Sequence, residues 1–186
     1  MSSHLVIEQV GTEAALSESA TAEDLAYVES FAAISRRCEV LAWRAIVRRE
    51  LGRDVEISHD EYGAPKVTIS DVNISVSHSR DRVAVLFSNG ICAVDIESVE
   101  RDFRKVAKRY LSDEEQQIAE QNDLYAEMWC AKEALYKYYR KGGLDFVTDI
   151  SLLEYNSGVL LGSILGGVPI TVKVWREGDL AVAMID

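Results

Sequence analysis

The sequence predicts an α+β fold, whose 186 residues could make one compact domain or two small lobes sharing a core, with similar halves at residues 1–90 and 91–186. Four observations carry this reading. β-branched, strand-like runs occur on both sides of a central stretch near Ile91, and amphipathic helical patterns also occur on both sides. No low-complexity linker separates the halves, and a 48% hydrophobic content supports a substantial core.

The elements follow in order. Leu5–Val10 reads as a first strand, followed by an acidic, Ala-rich segment. Asp24–Phe31 and Ser35–Leu51 read as helices, the second ended by Gly52. Short strands are expected at Val55–Ser58 and Val67–Ile69, around the turn residues Asp60-Glu61-Tyr62-Gly63-Ala64-Pro65. Ile74–Val76, Val83–Phe87 and Ile91–Ile96 are strand-like, and Ser88-Asn89-Gly90 is a hairpin signal joining the last two. Helices are expected over Phe103–Tyr110, Asp113–Glu120 and Leu124–Tyr139, with Ser112 and Glu115 forming a capping box. After Lys141-Gly142-Gly143 the pattern turns to strands: Ile150–Tyr155, Val159–Ile164, Pro169–Trp175 and Leu180–Ile185.

Composition excludes several classes. A net charge of −11 argues against general nucleic-acid binding, which needs a positive footprint. No apolar run reaches membrane-spanning length, and Met1–Val10 lacks a signal-peptide layout. Cys38, Cys92 and Cys130 are widely spaced, form no CxxC pair and read as small buried hydrophobes. A cytoplasmic protein is expected. The charge is unevenly spread: residues 1–30 carry six acids and no Lys or Arg. Arg101, Arg104, Lys105 and Lys108 fall at helical i, i+3, i+4 and i+7, which would make one basic stripe. In most proteins such a stripe is a solvated face; beside a functional strand it is equally a docking surface.

Two short segments carry chemistry. In Ala93-Val94-Asp95-Ile96-Glu97, strand periodicity puts Asp95 and Glu97 on one face and Ile96 on the other. In Trp129-Cys130-Ala131-Lys132-Glu133-Ala134-Leu135-Tyr136-Lys137, Glu133 and Lys137 share a helix face one turn apart. Three carboxylates brought together suit a hard divalent cation such as Mg²⁺. A Lys beside them suggests a phosphate held between metal and ammonium. The blander readings are a solvated strand face, a surface ion pair worth a few tenths of a kcal/mol, and a Trp129 packed in the core.

These segments, with Ser75-Val76-Ser77-His78-Ser79 upstream, resemble in order and approximate spacing the motifs of the 4′-phosphopantetheinyl transferase family, G-[VI]-D-[IVL]-E, W-x-x-K-E-A-x-x-K and [NS]-[IV]-S-H-S. The resemblance runs from about Arg36 to about Phe146. It implies the pseudo-twofold, two-lobed fold of the longer, monomeric, surfactin-synthetase-activating type. It also implies transfer of phosphopantetheine from coenzyme A to a serine of an acyl or peptidyl carrier protein. Asp95, Glu97 and Glu133 would hold Mg²⁺, with Mn²⁺ as the alternative ion. Asp95, Glu133 and Lys137 would be catalytic, with Glu133 or a metal-bound water as base. Arg37, Ser77, His78, Lys132 and Lys137 would meet coenzyme A, Arg37 at the adenosine 3′-phosphate and Ser77 and His78 at its phosphates; Lys132 is read equally as a solvent-facing residue.

Departures from the pattern are Ala93 for Gly, and Gly63-Ala64-Pro65, which lacks the central basic residue of the family's G-[KR]-P turn. Lys66 is the neighbouring candidate to replace it. The basic stripe would be where the carrier docks. Two rival classes stand beside this one: a Mg²⁺-dependent phosphate-ester hydrolase using the same acids, and a catalytically silent carrier-binding homologue. Filled key positions argue against the latter.

Overall fold

Val83 to Phe87 is an uninterrupted apolar run, so a strand there has no polar face and has to be covered on both sides. The computed structural model, which describes residues 3–186, puts this run in the middle of the molecule. The first half contains β1 (His4–Gln9), α1 (Glu13–Ser19), α2 (Ala22–Val28), α3 (Ile34–Leu51), β2 (Ile57–His59), β3 (Pro65–Val67), β4 (Asn73–Ser79) and β5 (Arg82–Ser88). The second contains β6 (Ala93–Ser98), a 3₁₀ helix (Phe103–Arg109), α4 (Asp113–Asn122), α5 (Tyr125–Tyr139), β7 (Ile150–Asn156), β8 (Val159–Ile164), β9 (Ile170–Glu177) and β10 (Leu180–Ile185).

One antiparallel sheet is ordered β1-β5-β4 and another β6-β10-β9-β8-β7, with β2 and β3 pairing separately. From β5, Val83, Val85 and Phe87 enter a core with Trp43, Ile46 and Val47 of α3. Ala84 and Leu86 face the opposite way, against Val94, Ile96, Leu180 and Val182 of the second sheet. The far face of that sheet packs Ala181, Ala183 and Ile185 with Ala131, Ala134 and Leu135 of α5. The layers thus run helix, sheet, sheet, helix. α5 comes so close that a Cβ on Gly162 of β8 would lie 2.5 Å from Leu135 Cδ1, which explains a glycine inside a strand.

One expectation is corrected. Ser88-Asn89-Gly90 does not close a hairpin, because β5 already pairs with β1 and β4 and has no free edge. The chain instead crosses to the second sheet, where β6 pairs with β10. The hairpin lies one strand earlier, between β4 and β5, and turns on Arg80 at φ 52°.

Where the sheets meet, β6 is an edge strand beside β4. Ser75, Ser77 and Ser79 of β4 present their hydroxyls to it and accept hydrogen bonds from the backbone N–H of Val94 (3.0 Å), Ile96 (3.2 Å) and Ser98 (3.1 Å). Serine side chains therefore satisfy an edge that would otherwise need another strand.

In the first half, Asp24 caps α2 through Thr21 and also binds Arg44 and Arg48, one turn apart on α3. Arg48 goes on to donate to the carbonyls of Arg53 and Val55, both at 2.7 Å. The acid-rich N-terminal segment is thereby pinned to an arginine-rich helix.

Candidate active site

Two of the three seam serines lead into the site. Ser77 and Ser79 also donate their own hydroxyl protons, to Asp95 Oδ1 (2.7 Å) and Glu97 Oε2 (2.8 Å). Alternation on β6 sends Ile96 into the core between the sheets and turns Asp95 and Glu97 toward α5. There Lys137 Nζ donates to Asp95 Oδ1 (2.7 Å) and to the carbonyls of Val94 (2.9 Å) and Val76 (3.3 Å). Lys137 thus ties α5 to both sheets and does not pair with Glu133 on its own helix. Arg101 holds the other oxygen of Glu97 at 2.8 Å.

Asp95, Glu97, Glu133, Lys137, Trp129, Ser77 and His78 line one cavity of about 260 Å³. Burial, and then the negative charges of Asp95 and Glu97, push the Glu133 carboxyl above the ordinary carboxylate range, against the pull of Lys137. Asp95 Oδ2 is buried and has no hydrogen-bond partner. Among the described residues, no three His, Cys, Asp or Glu side chains are drawn together closely enough to hold a metal ion in this arrangement. The expected triad shares one cavity, but Lys137, Ser79 and Arg101 occupy three of its oxygens. Its donor chemistry nonetheless fits a hard cation: Asp95, with one buried and unpartnered carboxylate oxygen, lines a cavity that a second and third carboxylate also line.

Several expected ligands sit elsewhere. Lys132 is completely buried and reaches neither solvent nor the cavity. Its ammonium is held by Glu115 (2.7 and 2.9 Å) and by the carbonyls of Phe146 (2.8 Å) and Ile150. One step round the helix from Glu133 points into the core here, because α4 lies on that side. Ser77 does line the cavity, but it is buried and its hydroxyl is engaged with Asp95 and Ile96 in the seam. Arg37 turns to Glu13 (3.4 Å) and the Phe31 carbonyl (2.7 Å). Its neighbour Arg36 makes the contact at the cavity mouth, 2.6 Å from His78 Nε2 and 3.1 Å from Glu39. The spacing of Arg36 to Glu39, three residues, is the signal that distinguishes it. His78 keeps 42% of its side chain exposed; partial burial, with Arg36 and Lys137 nearby, moves its pKa below the ordinary histidine value.

The basic stripe does not form as a helix face. The segment is a 3₁₀ helix that begins only at Phe103, and its three-residue turn breaks the i, i+4 alignment. Arg101 pairs with Glu97, Arg104 with Glu120 and Lys105 with Asp102. Lys108 and Arg109 remain exposed. Trp129 packs against Phe103, Tyr110 and Phe146 and forms a wall of the cavity as well.

A family model described as the 4′-phosphopantetheinyl transferase superfamily matches residues 91–184. The chain belongs to this superfamily. The match takes in β6 with Asp95 and Glu97 and α5 with Glu133 and Lys137, and stops short of His78 and α3. The 4′-phosphopantetheinyl transferase ffp of Bacillus subtilis is 30% identical over 96 residues, 48% of this chain and 43% of that protein. The match thus spans less than half the length of this superfamily relative. No helix among the described residues is long and apolar enough to cross a membrane.

A second cavity of about 260 Å³ adjoins the first and shares Val76 and Lys137 with it. Tyr62, Ala64, Pro65, Tyr136 and Arg140 are among its walls. Arg140 and the two tyrosines carry no signal in the sequence, because they come from a turn and a helix end distant in sequence.

Proposed function

We propose that this protein transfers 4′-phosphopantetheine from coenzyme A to a serine of an apo acyl or peptidyl carrier protein and releases adenosine 3′,5′-bisphosphate. The observation that carries the reading is the single cavity faced by Asp95, Glu97, Glu133 and Lys137, all inside the segment that the family model matches. In this reading residues 1–90 and 91–186 are two lobes of one monomeric unit. A helix laid over a sheet in each half supports a pseudo-twofold relation between them. The three free, buried cysteines agree with a cytoplasmic location.

Asp95, Glu97 and Glu133 would hold Mg²⁺, or Mn²⁺, which when bound supplies charge neutralisation for the coenzyme's pyrophosphate. Lys137 gives the phosphoryl group a fixed ammonium, positioned by two backbone carbonyls as well as by Asp95. His78 and Arg36 offer hydrogen-bond donors at the cavity mouth. The carrier serine attacks the phosphorus next to the pantetheine. Its Oγ–P bond forms as the bridging P–O bond to the nucleotide breaks, and a Glu133 oxygen takes the hydroxyl proton. The adjoining cavity receives the nucleotide end. On the other side of Glu133, a groove of about 350 Å³ lined by Arg109, Val106 and Leu144 is open to the carrier. That narrows the docking surface expected of Arg101, Arg104, Lys105 and Lys108 to its unpaired end, Lys108, together with Arg109.

The test is intact mass of an apo carrier protein after incubation with coenzyme A and Mg²⁺. A gain of one phosphopantetheine is expected. Asp95→Ala and Glu133→Ala should each lower the rate by at least about 10²–10³-fold while circular dichroism stays native. Unchanged rates in both would refute the site. Coenzyme A breakdown without carrier modification would put a hydrolase in its place.

A further inference from the structure

The second cavity has a charge pattern unlike the molecule around it. The protein carries a net −11, yet the residues lining this cavity include Lys137 and Arg140 and no acid. Its remaining walls, among them Tyr62, Pro65, Val76 and Tyr136, are largely apolar. Such a pocket suits a ligand with a flat apolar body and an anionic edge. The two cations differ in their freedom. Lys137 is held by Asp95, whereas Arg140 has no ion-pair partner among the described residues. Asp60 feels its charge, but that carboxylate is already accepting from the N–H groups of Tyr62 and Ala64, each at 2.9 Å.

Of the non-glycine residues with positive φ, which include Asp71, Arg80 and Asp123, Arg140 lines this cavity. α5 ends at Tyr139, and Arg140 follows in the left-handed conformation, φ 58° and ψ 14°. A glycine occupies that conformation without strain, and an arginine does not. Strain held at a cavity wall is a mark of function. Across the cavity stands Ala64, where the turn Gly63-Ala64-Pro65 offers no cation. Lys66, the neighbour expected to replace it, is exposed on β3 and does not line the cavity.

From this geometry we infer that Arg140 binds the phosphate at the nucleotide end of coenzyme A, supplying from the end of α5 the cation that the Ala64 turn lacks. The inference rests on the coenzyme A reading above. It makes Arg140 a ligand-binding and specificity residue whose guanidinium suits a bidentate phosphate contact.

Isothermal titration of coenzyme A and of 4′-phosphopantetheine separates the possibilities. Arg140→Gly should weaken coenzyme A binding roughly 10- to 100-fold, leave 4′-phosphopantetheine binding unchanged, and melt no lower than the wild-type protein. Arg140→Lys should retain part of the affinity, and Lys66→Ala all of it. Wild-type affinity for coenzyme A in both Arg140→Gly and Arg140→Ala would overturn the inference. So would an equal loss for both ligands, which would mark a purely structural effect. A wild-type protein that binds no coenzyme A would instead overturn the functional reading on which the inference stands.

Discussion

Single carboxylates in this protein do very different work according to what surrounds them. Burial pushes Asp24 upward, but hydrogen bonds from Arg48, Arg44 and Thr21 outweigh it and hold the carboxyl well below its ordinary range. Its folded-state pKa is therefore depressed, so its stabilisation is present above the unfolded value near about 4 and is lost as pH falls below it. Asp24→Asn should lower stability at neutral pH by about 3–5 kcal/mol, because two arginines lose a buried counter-charge. The variant's melting temperature should also fall less steeply than the wild type's between about pH 4 and pH 2. Parallel acid limbs in melting curves recorded against pH would show that Asp24 is not the controlling group. Glu115 is the contrasting case. Ser112 and Glu115 were legible as a capping box, and the box is present. That the same carboxylate also receives Lys132 and the amide of Leu152 was not legible, since those partners lie 17 and 37 residues away. A lysine inside a ligand-rich motif reads as a ligand until the element that covers it is known.

Periodicity gave most elements to within a few residues, through apolar alternation or, for β5, an unbroken apolar run. It failed where partners decide. The 3₁₀ helix has a helical composition, but its side chains are claimed by Glu97, Asp102 and Glu120. Of the serines at 75, 77 and 79, the family resemblance gives Ser77 alone a ligand role; the acceptor role of all three depends on β6 lying alongside, which no local pattern reveals. Ser77→Ala tests that role. It removes one donor to Asp95 and leaves the Ile96 N–H buried without an acceptor, a loss of about 1–3 kcal/mol. Chemical denaturation should show the loss, with coenzyme A affinity reduced as a consequence of a freed Asp95. Wild-type stability would mean that β6 finds another partner.

Over the whole molecule, charge is sorted. Acids of the first thirty residues meet arginines of α3: Glu8 with Arg49, Glu13 with Arg37, and Glu23 and Asp24 with Arg44 and Arg48. Much of the acidic excess in that segment is thus neutralised by its own helix, and the total of −11 says little about either face of the site. The groove beyond Glu133 is lined by Arg109 as well as Asp145, with Lys108 exposed beside it, and in the proposed reading it is where an acidic carrier would dock. Charge reversal by Lys108→Glu together with Arg109→Glu should raise the KM for the carrier several-fold and steepen no other dependence. Coenzyme A titration should be unaltered. An unchanged carrier KM would move docking off this groove.

The serine seam has one more consequence. A backbone ladder between strands is indifferent to sequence: almost any residue supplies the same N–H and C=O. Here the alignment of one sheet against the other is written in three side chains, so it can be edited one codon at a time. The spacing between the His78 strand and the Glu133 helix is accordingly heritable, and open to gradual variation, in a way that a continuous sheet would forbid.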